Sequence, residues 1–137
     1  MTNFTHRVKS YEWLPLDKVI IVGSGILDQL GLRMANDVDM ITDSETFKRL
    51  KNKSVLTLET HGDYKVLVGD GIEIWTDWRE IDGELWDYGY LSQFTTTIDG
   101  VRFVDPQKVL QWKRAMGRPK DEKDIKLLEE YLHERAS

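Results

Sequence analysis

The sequence contains no cysteine. That absence excludes disulfide frameworks, thiolate zinc sites, iron–sulfur clusters and cysteine nucleophiles together, and it fits a reducing compartment. Nor is there any stretch near the roughly 18 apolar residues that a membrane-crossing helix needs. Met1 to Ser10 is polar and lacks the apolar centre of a signal peptide, so the expected location is cytoplasmic. Positive charge is in short supply, with 19 Lys+Arg against 24 Asp+Glu and a net charge of −5. That balance argues against wrapping duplex nucleic acid with the whole surface and leaves room only for a local basic patch. Internal repeats, low-complexity tracts and interdomain linkers are also missing. The 137 residues, 40% apolar and 31% charged, suit one folded domain over 1–137 that needs no metal or disulfide to hold its core.

The apolar pattern predicts an α+β chain. Lys18 to Val22 is a β-branched run closed by Gly23, as in a buried strand. Gly23-Ser24-Gly25 follows, and Ile26, Leu27, Leu30 and Leu32 then recur at helical spacing, with Gly31 ending the helix. Val38 to Thr42 alternates as a strand, and Ser44 is placed to cap a helix through Leu50. Ser54 to Thr60, Tyr64 to Val68 and Ile72 to Trp78 read as three strands of an antiparallel meander, separated by glycine turns. Asp82 to Phe94 is rich in aromatics and expected to be helical in part. Asp99-Gly100 between Thr95 to Ile98 and Val101 to Val104 is the strongest hairpin signal in the chain. Pro106 opens a helix ending at Gly117, and a last helix from near Asp121 carries Ile125, Leu128 and Leu132 on one face. The expected core covers about 17–104, with a C-terminal helix pair at about 106–134.

Two features carry chemistry jointly. Gly23 and Ser24 stand directly after a buried strand and ahead of a helix, where unpaired backbone N–H groups favour an anion. Glycine permits close approach of a phosphate, and the Ser24 hydroxyl adds a donor. Asp37 and Asp39 flank Val38 on the next strand, so both carboxylates project from one face. Such a pair repels itself unless a cation intervenes. Magnesium, a hard ion that takes carboxylates plus substrate phosphates, suits it, with manganese as a substitute.

Strand, Gly-Ser, short helix, then Asp-x-Asp on the following strand resembles the polymerase-β-type nucleotidyltransferase superfamily. Ser24 lies thirteen positions before Asp37, compatible with that family's one-helix separation. The wording VGSGILDQLGLRMANDVDM is most similar to its small bacterial members, including those of toxin–antitoxin modules. VDPQKVLQWKRAMGRPKDEKDIKLL resembles their usual C-terminal helix pair. The resemblance implies a mixed sheet with helices packed on it and ATP or another nucleoside triphosphate as substrate. It further implies a third carboxylate on a later strand, flanked by apolar residues. Glu73, between Ile72 and Ile74, fits that place, although the commoner residue there is aspartate and Asp77 shares the expected strand face. Asp37, Asp39 and Glu73 would then hold the metal, Glu73 would assist the acceptor hydroxyl, and the Gly23-Ser24 turn would hold the leaving pyrophosphate.

Lys108, Lys113, Arg114, Arg118 and Lys120 form a basic cluster with no acid between Pro106 and Lys120. Lys113, Arg118 and Lys120 are the candidates for neutralising a triphosphate. The plain alternative is a solvated helix face with cations near the C-terminal dipole. A dinucleotide fingerprint beginning at Gly23, with Asp43 as ribose ligand, is weakened by Asp28 at its sixth position. P-loop and nucleophile-elbow patterns are not met. His6, His61 and His133 share no metal-ligand spacing. Trp75, Trp78, Trp86, Tyr88 and Tyr90 are expected in packing, with one available to stack on a nucleobase. The leading expectation is therefore transfer of a nucleoside monophosphate to a small molecule, protein or RNA, releasing pyrophosphate. The competing one is a non-catalytic nucleotide-binding module of the same fold. Either would complete its cleft with a homodimer partner or another protein.

Overall fold

The computed structural model describes residues 3–136, with Arg79 described by its backbone alone. In chain order the elements begin with α1 (Phe4–Lys9), β1 (Val19–Val22), α2 (Gly25–Gln29), β2 (Val38–Thr42) and α3 (Ser44–Leu50). Next come β3 (Thr57–His61), β4 (Tyr64–Gly69), β5 (Ile72–Trp75), β6 (Asp77–Ile81), β7 (Glu84–Asp87) and α4 (Tyr88–Leu91). The chain then continues through β8 (Thr95–Ile98), β9 (Val101–Val104), α5 (Pro106–Met116) and α6 (Glu122–Ala136). Seven strands form one sheet in the order β3-β4-β5-β2-β1-β9-β8, and β6 pairs with β7 apart from it.

The sheet is mixed. β1 runs antiparallel to β2, and β2 runs parallel to β5. β1 also runs parallel to β9. The meander β3-β4-β5 is antiparallel, as the turn spacing predicts. All four residues of β1 are buried, which follows from their place between two strands and beneath helices, where alternation is lost. Val38 and Met40 are fully buried, with 0% exposure, while Asp39 between them is partly open. The period of two thus divides β2 into a core face and a chemical face.

Helix α2 lies close on β1 because Gly25 has no side chain. A Cβ there would sit 2.4 Å from Ile21 Cγ2 and 2.8 Å from the Phe4 ring. Phe4 and Val8 belong to α1, an apolar-faced helix within the N-terminal segment that composition presents as merely polar. Among the described residues no helix is long and apolar enough to cross a membrane.

Two local expectations are corrected. Asp43, not Ser44, caps α3, its carboxylate accepting from the Thr46 N–H. A carboxylate accepts this bond at the helix's positive end better than a hydroxyl does. The expected strand Ile72 to Trp78 breaks at Thr76, so β5 ends at Trp75 and β6 starts a second sheet. Asp77 therefore does not share a strand with Glu73. The aromatic stretch from Asp82 to Phe94 is helical in part, as expected: β7 occupies Glu84–Asp87 and α4 Tyr88–Leu91. The antiparallel β1–β2 pair excludes a βαβ dinucleotide unit, and Asp43 is occupied in capping.

Candidate active site

A cleft of about 720 Å3 opens where the ends of β1, β2 and β5 meet the C-terminal helices. Every residue proposed from the sequence lines it: Gly23, Ser24, Asp37, Asp39, Glu73, Lys113, Arg118 and Lys120. Asp77 lines it too, from β6.

The acidic end is built by strand register. In the parallel β2–β5 pair Asp39 stands opposite Glu73, and across the other edge Asp39 stands opposite Val22 of β1. Glu73 is thus brought beside the Asp pair by a strand that comes much later in the chain. Asp37 arrives just ahead of β2 on a loop pinned at three points. The buried Asp28 carboxylate accepts the Ala35 N–H at 2.8 Å, and Arg7 donates to the carbonyls of Ala35 and Asn36 at 2.9 and 2.5 Å. Burial, then the charge of Glu73, then that of Asp37 push the Asp39 carboxyl up to about 7. Lys113 and Lys120 act in the opposite direction without cancelling the effect.

Gly23 lies beside this carboxylate. It holds φ of +67°, and a Cβ built there would come within 3.3 Å of Asp39 Oδ2. An L side chain would be strained by the backbone and would crowd the acid.

The basic end is a network that local sequence pattern does not reveal. Asp124 of α6 accepts from Arg33 through both oxygens, Nε to Oδ1 at 2.5 Å and Nη2 to Oδ2 at 2.7 Å. Lys113 of α5, with only 2% of its side chain exposed, lies 3.0 Å from Asp124 and 3.1 Å from Asp121. Arg118 bonds Asp121 at 2.6 Å and places its guanidinium 4.8 Å from the Trp112 ring centre. The Ser24 hydroxyl accepts from Arg33 at 2.7 Å and from Lys113 at 3.4 Å. Burial would raise both aspartates, but the hydrogen bonds and charges of Arg33, Lys113 and Arg118 hold them below the usual carboxylate range. Three cations against two carboxylates leave one net positive charge, and exposed Lys120 adds another.

The solvated-face reading of the basic cluster fails at Lys113, which is a buried ion-paired residue. It holds at Arg114, which pairs with Glu129 on the exterior. Lys108 is drawn instead against the rings of Trp86, Tyr90 and Phe94, with Nζ donating to Tyr90 Oη at 2.7 Å. Arg33, Asp121 and Asp124 were not legible as site residues. One signal for Lys113 was available: with Val109 and Met116 it occupies the inward stripe of α5, an unusual place for a lysine without partners.

All potential metal donors at the acidic end are hard carboxylate oxygens, the chemistry that suits Mg2+ or Mn2+. Among the described residues no group of three His, Asp or Glu side chains is disposed to hold a metal ion by itself. A cation here would complete its shell with phosphate oxygens and water, as magnesium commonly does.

No protein-family model matches the chain, and no curated protein matches it. Among solved structures, the chain is similar to a Thermotoga maritima protein provisionally described as a nucleotidyltransferase. The two are 18% identical, the match covers 98% of this chain and 96% of that one, and the TM-score is 0.58. At that identity the likeness speaks for architecture: this chain has a nucleotidyltransferase-like α+β fold, a mixed sheet carrying a C-terminal helix pair.

Proposed function

We propose that this chain is a metal-dependent nucleotidyltransferase, moving a nucleoside monophosphate from a nucleoside triphosphate to an acceptor hydroxyl. The observation that carries the reading is the Asp39–Glu73 register. It sets a third carboxylate beside the Asp37/Asp39 pair and next to the Gly23 turn, at the mouth of one cleft. Three acids that repel one another are an unfavourable arrangement for folding alone, and a bound cation relieves it.

In this reading Asp37 and Asp39 hold Mg2+ or Mn2+, with Glu73 completing the acidic side. The ion would neutralise phosphate charge and align attacking and leaving oxygens. The β- and γ-phosphates rest against the Gly23-Ser24 turn, where no side chain obstructs them. Arg33, Lys113, Arg118 and Lys120 supply the positive field. The acceptor oxygen attacks the α-phosphorus, its proton passes to Glu73, and the bond to pyrophosphate breaks in line. The motif likeness to small toxin–antitoxin members supports a bacterial cytoplasmic setting and a protein partner or second copy at the cleft.

One observation favours a second reading, a nucleotide-binding module without turnover. Lys113 and Arg118 are already compensated by Asp121 and Asp124, which lessens the charge available to a triphosphate. Incubation with α-labelled nucleoside triphosphates and Mg2+ separates the two. Pyrophosphate release that is lost in Asp37→Asn/Asp39→Asn supports transfer. Magnesium-dependent binding without release supports the module.

A further inference from the structure

The wall of the cleft adjoining the carboxylates is aromatic. His61, at the end of β3, meets Trp75 of β5 with ring centres 5.6 Å apart, and Trp75 meets Trp78 of β6 at 5.6 Å. Trp78 continues to Trp112 of α5 at 5.0 Å. All four rings line the cleft, and the break at Thr76 is what turns Trp78 onto it from a second sheet. A buried core would account for such a chain of rings, but Trp75 and Trp78 are only partly buried and His61 is exposed.

Position assigns the wall a task. Trp75 is two residues beyond Glu73 on the same face of β5, a separation of about 6.5–7 Å along the strand. Its outer part, His61 and Trp75, lies toward β4 and β3, whereas Gly23 follows β1 on the opposite flank of β2. Phosphates at the Gly23 turn and a ring against Trp75 thus fall on opposite sides of the acids. In an in-line transfer the acceptor occupies the side away from the leaving pyrophosphate.

Building on the transfer reading, we propose that His61, Trp75 and Trp78 form the acceptor's ring subsite, and that the acceptor is of the nucleoside class. A hydroxyl at Glu73 and a planar ring on Trp75 require a spacer of about the size of a sugar. A phenol, whose oxygen sits on the ring itself, would be drawn off the wall. Stacking on aromatic faces is tolerant of which base is present, so the subsite selects the ring and spacer before the base.

The test is calorimetry on the purified chain with Mg2+ and a non-hydrolysable ATP analogue present, titrating adenosine, uridine and N-acetyltyrosinamide. The nucleosides should bind saturably and the phenol poorly. Trp75→Leu should weaken nucleoside binding about tenfold or more while the ATP analogue's affinity stays within about twofold. Trp75→Phe should retain most nucleoside binding, and an unchanged circular dichroism spectrum secures the comparison. Absence of nucleoside binding overturns the proposal, as does equal binding of the phenol or a Trp75→Leu loss that falls on the ATP analogue instead. Pyrophosphate release keeps the two readings apart. Release onto nucleosides with KM unaltered in Trp75→Leu sinks the subsite and leaves transfer standing. Trp75-dependent nucleoside binding with no release under any condition sinks transfer and leaves the ring subsite.

Discussion

Arg33 and Asp124, 91 positions apart, are joined as a two-pronged ion pair that ties the loop before β2 to the last helix. The same carboxylate holds the buried Lys113 ammonium, so one side chain anchors both cations that touch Ser24. Asp124→Ala should leave Lys113 buried with a single carboxylate partner, Asp121, and free the Arg33 fork. Breaking a buried pair by removing one member costs about 3–5 kcal/mol, readable as a lower denaturant midpoint. Lys113→Met should be milder than Asp124→Ala, because Asp121 keeps Arg118 and Asp124 keeps Arg33.

Acid should weaken this network in a defined window. Asp121 and Asp124 have folded-state affinities for protons below their unfolded values. The stability they contribute is present above about pH 4 and is lost as pH falls through their lower folded values. Denaturation between pH 6 and pH 3 should show that decline, and Asp121→Asn/Asp124→Asn should flatten it from a less stable starting point.

Asp39 has the opposite sign. Its carboxyl is raised to about 7 in the fold, so the native state holds a proton that the unfolded chain has released. Stability without metal should therefore fall as pH rises from about 4 to about 7. Asp39→Asn should be nearly neutral at pH 4 and stabilising by a few kcal/mol at pH 8, because a tenfold change in proton affinity corresponds to about 1.4 kcal/mol. Equal stability of the two proteins at pH 8 would show that Asp39 ionises freely.

Gly23→Ala should be disproportionately damaging for one methyl group. Its left-handed backbone costs an L residue about 1–2 kcal/mol, and the new Cβ would press on Asp39 Oδ2. Triphosphate affinity should drop at least tenfold in calorimetry while the melting temperature falls only modestly.

Glu73→Gln should lower turnover by about 100-fold or more if Glu73 takes the acceptor proton, with nucleotide affinity little changed. It also removes the largest charge acting on Asp39, so the Asp39 carboxyl should titrate lower by carbon-detected NMR. That readout requires no activity. Asp77→Asn should move neither quantity, since burial and Asp87 govern Asp77.

Much of this architecture is written locally. The β2 limits, the hairpin at Asp99-Gly100 and helix α5 follow from alternation, turn chemistry and a Pro/Gly pair acting over a few residues. Gly23, Ser24, Asp37 and Asp39 were legible for the same reason, lying within one strand–helix–strand unit. Glu73 answers the third carboxylate that the resemblance implies, between apolar flanks, yet its partnership with Asp39 depends on a parallel pairing that no short window contains. Arg33, Asp121 and Asp124 are ordinary charged residues in sequence, and they become a site only through contacts spanning most of the chain. The end of β5 at Thr76 has no local mark, because β-branched and aromatic residues continue across it with no glycine or proline at the corner.

The fork between Arg33 and Asp124 also dictates an order of events. Loop closure over such a span carries an entropy cost that local hairpins do not, so the acidic strands can form before their basic counterpart arrives. During synthesis the Gly23 turn, Arg33 and the three carboxylates emerge before Lys113 and Asp124. A nascent or prematurely terminated chain would present its repelling acids with Arg33 lacking Asp124 and with Lys113, Arg118 and Lys120 absent, so the basic side of the cleft is incomplete until α6 docks.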